Sequence, residues 1–148
     1  MKFVSLQENL KEALYVVGHI AGKNVNLPIL NNVMIQAEKG NINLTTTDLE
    51  IGIVVKIRGK IEEEVSFVVD STIIYDYISL LPNKKTEVEH MENEVKIVCE
   101  KYNTKIKGNN SEEFPVIPTV AKNETLTVLV GEIKKALSQV VFATSSSE

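Results

Sequence analysis

Apolar and polar positions along the chain change period in a fixed order, and that order occurs twice. Residues 1–6 (MKFVSL) read as a short strand. From Gln7 to Ala21 the period is helical. Leu6, Leu10, Ala13, Leu14, Val17, Ile20 and Ala21 form one apolar stripe, while Glu8, Lys11, Glu12 and His19 lie off it. Gly22 is the expected stop. After the loop 23–26 and the run Leu27-Pro28-Ile29-Leu30 the period falls to two. Strands are expected over Asn32–Glu38, Ile42–Thr47 and Glu50–Arg58, with a turn at Gly40-Asn41 and Gly59 after the third. The order then returns. Val65–Val69 is a strand, Asp70 or Ser71 is a candidate N-cap, and a helix runs to Leu81 before Pro82 closes it. Three more strands follow at Glu87–Met91, Val95–Glu100 and Thr104–Lys107, with Asn93 marking one turn and Tyr102-Asn103 near the next. Two β-α-β-β-β units of about sixty residues each define an α+β protein with two helices on antiparallel sheets.

Residues 109–123 hold Pro115, Pro118, Ser111 and several Asn, and read as a connector. The pattern then starts a third time, with a strand over Thr125–Val130 and a helix over Glu132–Ala143. This helix matches the first in phase: Leu10 aligns with Ile133, Lys11 with Lys134, Ala13-Leu14 with Ala136-Leu137, and Val17 with Val140. Any two amphipathic helices share part of such a pattern. If the repeat is genuine, residues 1–122 form one domain and 123–148 the first strand and helix of another. The chain then reads as a fragment of something longer.

Composition adds limits. The chain has 148 residues, a net charge of -4 and one cysteine, Cys99, so no internal disulfide framework and no Cys-rich zinc site is expected. Neither a signal peptide nor an apolar run of membrane-spanning length is visible, which predicts a cytoplasmic protein without a membrane partner. Acidity argues at first against nucleic acid as partner, but the charge is uneven. Residues 1–60 carry seven basic and five acidic side chains, 61–100 three and ten, and 101–148 six and five. The acidity therefore sits in the middle third and leaves room for a local positive face elsewhere.

Candidate chemistry is sparse. His19 and His90 belong to no metal-ligand spacing, so no metal and no cofactor is expected. Asp48 and Glu50 sit at a strand junction, Ser145–Ser147 lack a nucleophile elbow, and Cys99 alternates with Val95 and Ile97 as a buried thiol does. No Gly-rich phosphate loop follows a strand. A catalytic site is not expected.

Four stretches carry a resemblance. Met1-Lys2-Phe3, Leu27-Pro28-Ile29-Leu30 followed by Asn32, Leu44-Thr45-Thr46-Thr47-Asp48-Leu49-Glu50, and Phe114-Pro115 resemble the N-terminal domain of the bacterial sliding clamp, the β subunit of DNA polymerase III. Val141-Phe142-Ala143-Thr144-Ser145 resembles a stretch early in that family's second domain. The resemblance implies the clamp fold, with helices lining a ring and sheets outside. It implies a non-catalytic processivity factor that encircles duplex DNA without reading sequence, slides, and tethers the replicative polymerase. It also implies a head-to-tail homodimer, and capture of polymerase and clamp-loader subunits through regions mostly beyond this chain. By the same resemblance, DNA contacts fall on Lys23 and Asn24 of the loop after the first helix, on Lys11, and on Lys134 and Lys135. The second helix, with Asp76 and no Lys or Arg, departs from a positive lining. The dimer interface is implied at Ile73 and Tyr77 on that helix and at Thr104 and Ile106 on the last strand. Lys101, Lys105 and Lys107 flank that strand and serve equally well as edge-protecting charges. Two other readings stand beside the clamp. One is a stand-alone α+β interaction module that does not encircle DNA; the other is an enzyme using His19, Asp48 and His90.

Overall fold

The computed structural model describes residues 2–21, 27–118 and 125–144. The first repeat comprises β1 (Lys2–Leu6), α1 (Gln7–Gly18), β2 (Asn32–Glu38), β3 (Asn41–Thr47) and β4 (Gly52–Ile57), with a short β5 (Gly59–Ile61) directly after it. The second comprises β6 (Val65–Asp70), α2 (Ser71–Leu80), β7 (Lys85–Met91), β8 (Glu94–Cys99) and β9 (Tyr102–Asn110). The expected β-α-β-β-β order is present twice.

The sheet joins the two repeats by exchange. Its order is β4-β3-β2-β6-β9-β8-β7-β1-β5, antiparallel throughout. Each three-stranded meander continues onto the opening strand of the other repeat, β2 onto β6 and β7 onto β1. Neither repeat can bury its own first strand alone, so the two form one unit.

Two glycines make the exchange possible. β9 pairs with β8 through Lys107 and then with β6 from Gly108. In the first repeat the same crossing breaks the strand at Arg58, and Gly59 opens β5 against Ser5 of β1. Gly59 opposite Ser5 thus corresponds to Gly108 opposite Val69. A Cβ on Gly59 would lie 2.6 Å from the Val4 carbonyl oxygen and 2.5 Å from Ile42 Cδ1; one on Gly108 would lie 2.6 Å from Val95 Cγ2. At both corners the chain passes too close to a neighbour for any side chain. Because β4 and β5 stand at opposite ends of the strand order yet are consecutive in the chain, the sheet returns on itself.

One core lies between sheet and helices. Phe3 and Phe67 face Leu10, Ala13, Leu14 and Val17 of α1 and Ile74 and Ile78 of α2, all essentially inaccessible to water. The Asp70 carboxylate accepts from the Thr72 and Ile73 amides, the expected N-cap of α2. The first helix ends at Gly18, short of the predicted Ala21. There Thr46 Oγ1 donates to the Val17 carbonyl at 2.8 Å, and the last amides tighten onto Val16 and Val17.

Backbone proximity divides the chain into Met1–Ile117 and Pro118–Glu148. The expected boundary at residue 122 falls outside the described residues. In the second unit α3 (Val130–Val140) is present, starting two residues before the predicted Glu132. The strand expected over Thr125–Val130 is not: residues 125–129 belong to no helix or strand. Alternating Thr and Val favour a strand, but a strand exists only when a neighbour takes its amides and carbonyls, and among the described residues none does.

Candidate nucleic-acid interface

The two helices of the first unit run antiparallel, side by side. At one end Gln7 Nε2, itself buried, donates to the Ile78 carbonyl at 2.7 Å, and Asn83 Nδ2 donates to Glu8 Oε2 at 3.0 Å. Midway, the rings of Tyr15 and Tyr75 lie 6.2 Å apart. At the other end His19 lines a cavity with Ser71 and Thr72. The valley between α1 and α2 therefore has two halves. One, lined by Gln7, Glu8, Lys11, Glu12 and Asn83, is charged. The other, of about 240 Å³, is lined by Leu14, Tyr15, Gly18, His19, Ser71, Thr72 and Tyr75 and carries no charged side chain.

Three of the five residues expected at the DNA surface have a described place. Lys11 is exposed on α1, but it is the only Lys or Arg on either helix, against Glu8, Glu12 and Asp76. Lys134 and Lys135 are exposed on α3, in the second unit. Lys23 and Asn24 lie outside the described residues.

The interface residues separate. Ile73 is 54% exposed on α2. Tyr77 is partly buried against the core, and burial, followed by the neighbouring Cys99, pushes its phenol above the usual range. On β9, Thr104 is half-buried and Ile106 faces the core opposite Val95, 9% exposed. Within this chain Ile106 packs inward. Alternation along β9 turns even positions inward and leaves Asn103, Lys105 and Lys107 outside. Over residues 102–107 β9 pairs with β8 alone among the described strands. Its exposed lysines suit an edge that must stay unpaired in the wrong company, with Lys105 Nζ 2.7 Å from Glu94 Oε2.

Two of the suspected catalytic groups, Asp48 and His90, serve the fold. Asp48 Oδ1 accepts from the amides of Glu50 and Ile51, which holds its carboxyl below the ordinary value. Thr47 Oγ1 donates to the Ile51 carbonyl and accepts from the Leu49 amide, at a Leu49 backbone with φ +80°. The Thr46-to-Glu50 stretch is thus a turn-builder that also pins α1. Leu27-Pro28-Ile29-Leu30 likewise makes a 3-10 turn that buries Leu30, and Ser71 Oγ donates to the Asn31 carbonyl there. His90 stacks on Phe67 at 5.1 Å with its Nε2 buried, and burial followed by the N-terminal charge pushes its imidazole below the usual range. His19, Asp48 and His90 stand just past the end of α1, in the β3–β4 turn and on β7, and line no common cavity among those described. No group of three or more potential metal ligands occurs among the described residues.

Comparison with known proteins agrees with this architecture. Residues 1–118 match the family described as DNA polymerase III beta subunit, N-terminal domain. The beta sliding clamp of Synechococcus elongatus is 27% identical over 151 aligned positions, covering all of this chain and 40% of that protein. A crystal structure of a putative DNA polymerase III beta subunit from Eubacterium rectale superposes with a TM-score of 0.95 at 27% identity, over 99% of this chain and 40% of the other. The Helicobacter pylori beta clamp, solved with a DNA ligase peptide bound, superposes at 0.76 with 21% identity, over 81% of this chain and 34% of that one. The chain thus spans about 40% of the length of the first two relatives. With the match covering most of its length and the strand-exchanged double repeat beneath it, the chain belongs to the family of the DNA polymerase III beta subunit, N-terminal domain.

Proposed function

We propose that this chain is the first domain, with the opening of the second, of a sliding clamp: a non-catalytic ring that encircles duplex DNA and tethers the replicative polymerase. The observation that carries this reading is the family match over residues 1–118 together with the 0.95 superposition. The family match bears on the first unit, and α3 with Lys134 and Lys135 is read as the corresponding start of the next domain. In this reading α1 and α2 face the hole. Lys11, Lys23, Asn24, Lys134 and Lys135 meet phosphates without reading bases, as a sliding protein requires. The ring is a head-to-tail homodimer, working in the cytoplasm on replicating DNA.

The free edge of β9 and the exposed Ile73 on α2 are where this domain meets its partner. Strand addition at β9 uses main-chain groups, so Ile106 stays in the core. The Helicobacter pylori clamp, solved with a DNA ligase peptide bound, supports partner capture by such a ring.

Primer extension with the full-length protein, its loader and its polymerase tests the reading. Product length per polymerase binding event should rise when the protein is added. Unchanged product length would favour an interaction module built on the same fold.

A further inference from the structure

The uncharged half of the valley has a specific chemical asymmetry. His19 Nδ1 lies 2.7 Å from the Tyr15 carbonyl oxygen. A carbonyl only accepts, so Nδ1 carries the proton. Edge-to-face contact with the Tyr15 ring, centroids 4.7 Å apart, fixes the imidazole further. Neutral His19 therefore offers Nε2 as an acceptor. Only the imidazolium offers a second N–H.

A phosphate diester is an acceptor alone. It can be met at this position by imidazolium Nε2–H and by hydroxyl groups, and not by neutral imidazole. Tyr15, Thr72 and Tyr75 line the same cavity and, besides Ser71, are its hydroxyl-bearing residues. Ser71 is already engaged with the Asn31 carbonyl. Among the described residues, the following titratable and charged groups flank the His19 end of the valley. On its own helix the nearest is Tyr15; on α2 they are Tyr75 and the Asp70 carboxylate, whose Oδ1 is committed to the Thr72 and Ile73 amides. Glu8, Lys11 and Glu12 line the other half. A duplex against these helices is repelled at the acidic half and finds neutral donors at the His19 half.

We propose that this cavity takes one backbone phosphate of the encircled duplex, gripped by the imidazolium of His19 and the hydroxyls of Tyr15, Thr72 and Tyr75, so that DNA contact takes up a proton here. This rests on the clamp reading and adds a pH-linked contact to it. The proton comes from solvent and returns on release, and no covalent bond changes. A slide by one phosphate breaks and remakes this contact, so it loads the ring without anchoring it.

The test uses the full-length ring on duplex DNA, with calorimetry in two buffers of different ionisation heat. Wild type should take up protons on binding, at most one per bound His19. Affinity should rise as pH falls, by at most about tenfold per pH unit for one linked proton. The dependence of log affinity on log salt should steepen by about one unit at the acid end. His19→Gln should lose these three effects together, and His19→Lys should bind with the steeper salt dependence at every pH. Equal proton uptake by wild type and His19→Gln overturns the proposal while leaving the ring intact. Absence of proton uptake in a wild-type ring that holds DNA overturns it without reference to any variant. A wild-type protein that holds no DNA at any pH overturns the clamp reading and the proposal together.

Discussion

Gly59→Ala is expected to destabilise the first unit by about 1–3 kcal/mol, the range for forcing one carbon into a packed site. The added Cβ would sit 2.6 Å from the Val4 carbonyl oxygen, a main-chain atom inside the β1 ladder, as well as 2.5 Å from Ile42 Cδ1. The isoleucine tip can turn aside. The carbonyl cannot move without opening the β1–β5 pairing, where Ser5 opposes Gly59 and Ser5 Oγ donates to the Arg58 carbonyl at 2.6 Å. Gly108→Ala is the built-in comparison. Its nearest obstacle is the Val95 Cγ2 methyl, a side chain, and the next backbone atom is 3.6 Å away. Urea unfolding of the two variants should show a larger drop in midpoint for Gly59→Ala, with the slope unchanged in both. A Gly59→Ala protein as stable as wild type would mean that the corner does not hold the two repeats together as described.

Ile106→Asp is expected to unfold the β8–β9 side of the sheet, which is a different outcome from the separation of two intact protomers. Removing a buried isoleucine alone costs about 2–5 kcal/mol. A carboxylate in its place, opposite Val95, adds the penalty of an unpaired buried charge. Loss of dimer by this variant would therefore say nothing about the interface. Ile73→Asp separates the two effects, because Ile73 is 54% exposed and its substitution should leave stability within about 0.5 kcal/mol. In the full-length protein Ile73→Asp should sediment as a folded monomer. A folded Ile106→Asp dimer would show that β9 does not pack as described. A stable Ile73→Asp dimer would remove α2 from the interface.

These two sites mark where reading the sequence stops being enough. Local features were legible because their causes are local. The period of two over Asn32–Glu38 matches the observed strand, and the Asp70 cap needs only a carboxylate one residue before a helix. The exchange of opening strands was not legible, since pairing of β2 with β6 and β7 with β1 is set by residues far apart in the chain. Three residues, Gly59-Lys60-Ile61, are too short to show a period, so β5 emerges only from its contact with β1. Which side of β9 is buried was not legible either, because it depends on β8 and the helices.

The candidate site divides in the same way. The off-stripe position of Lys11 followed from helical phase, and its exposure agrees. The valley did not, because Tyr15 and Tyr75 belong to different repeats and meet only when the helices pack. The second helix, read as a departure from a positive lining, keeps that character in the fold: its Asp76 is exposed, as are Glu8 and Glu12 on the first. A DNA-encircling role for such a face rests on topology more than on charge, and topology is what experiment can address.

The most direct measurement is the lifetime of the full-length protein on nicked circular duplex before and after a single cut. A ring held by encirclement should stay on the closed circle and leave within the time of sliding to an end once the circle is opened, with little change when salt is raised on the intact circle. Equal lifetimes on circular and linear DNA, falling together with salt as counterion release dictates, would contradict encirclement and leave only surface binding.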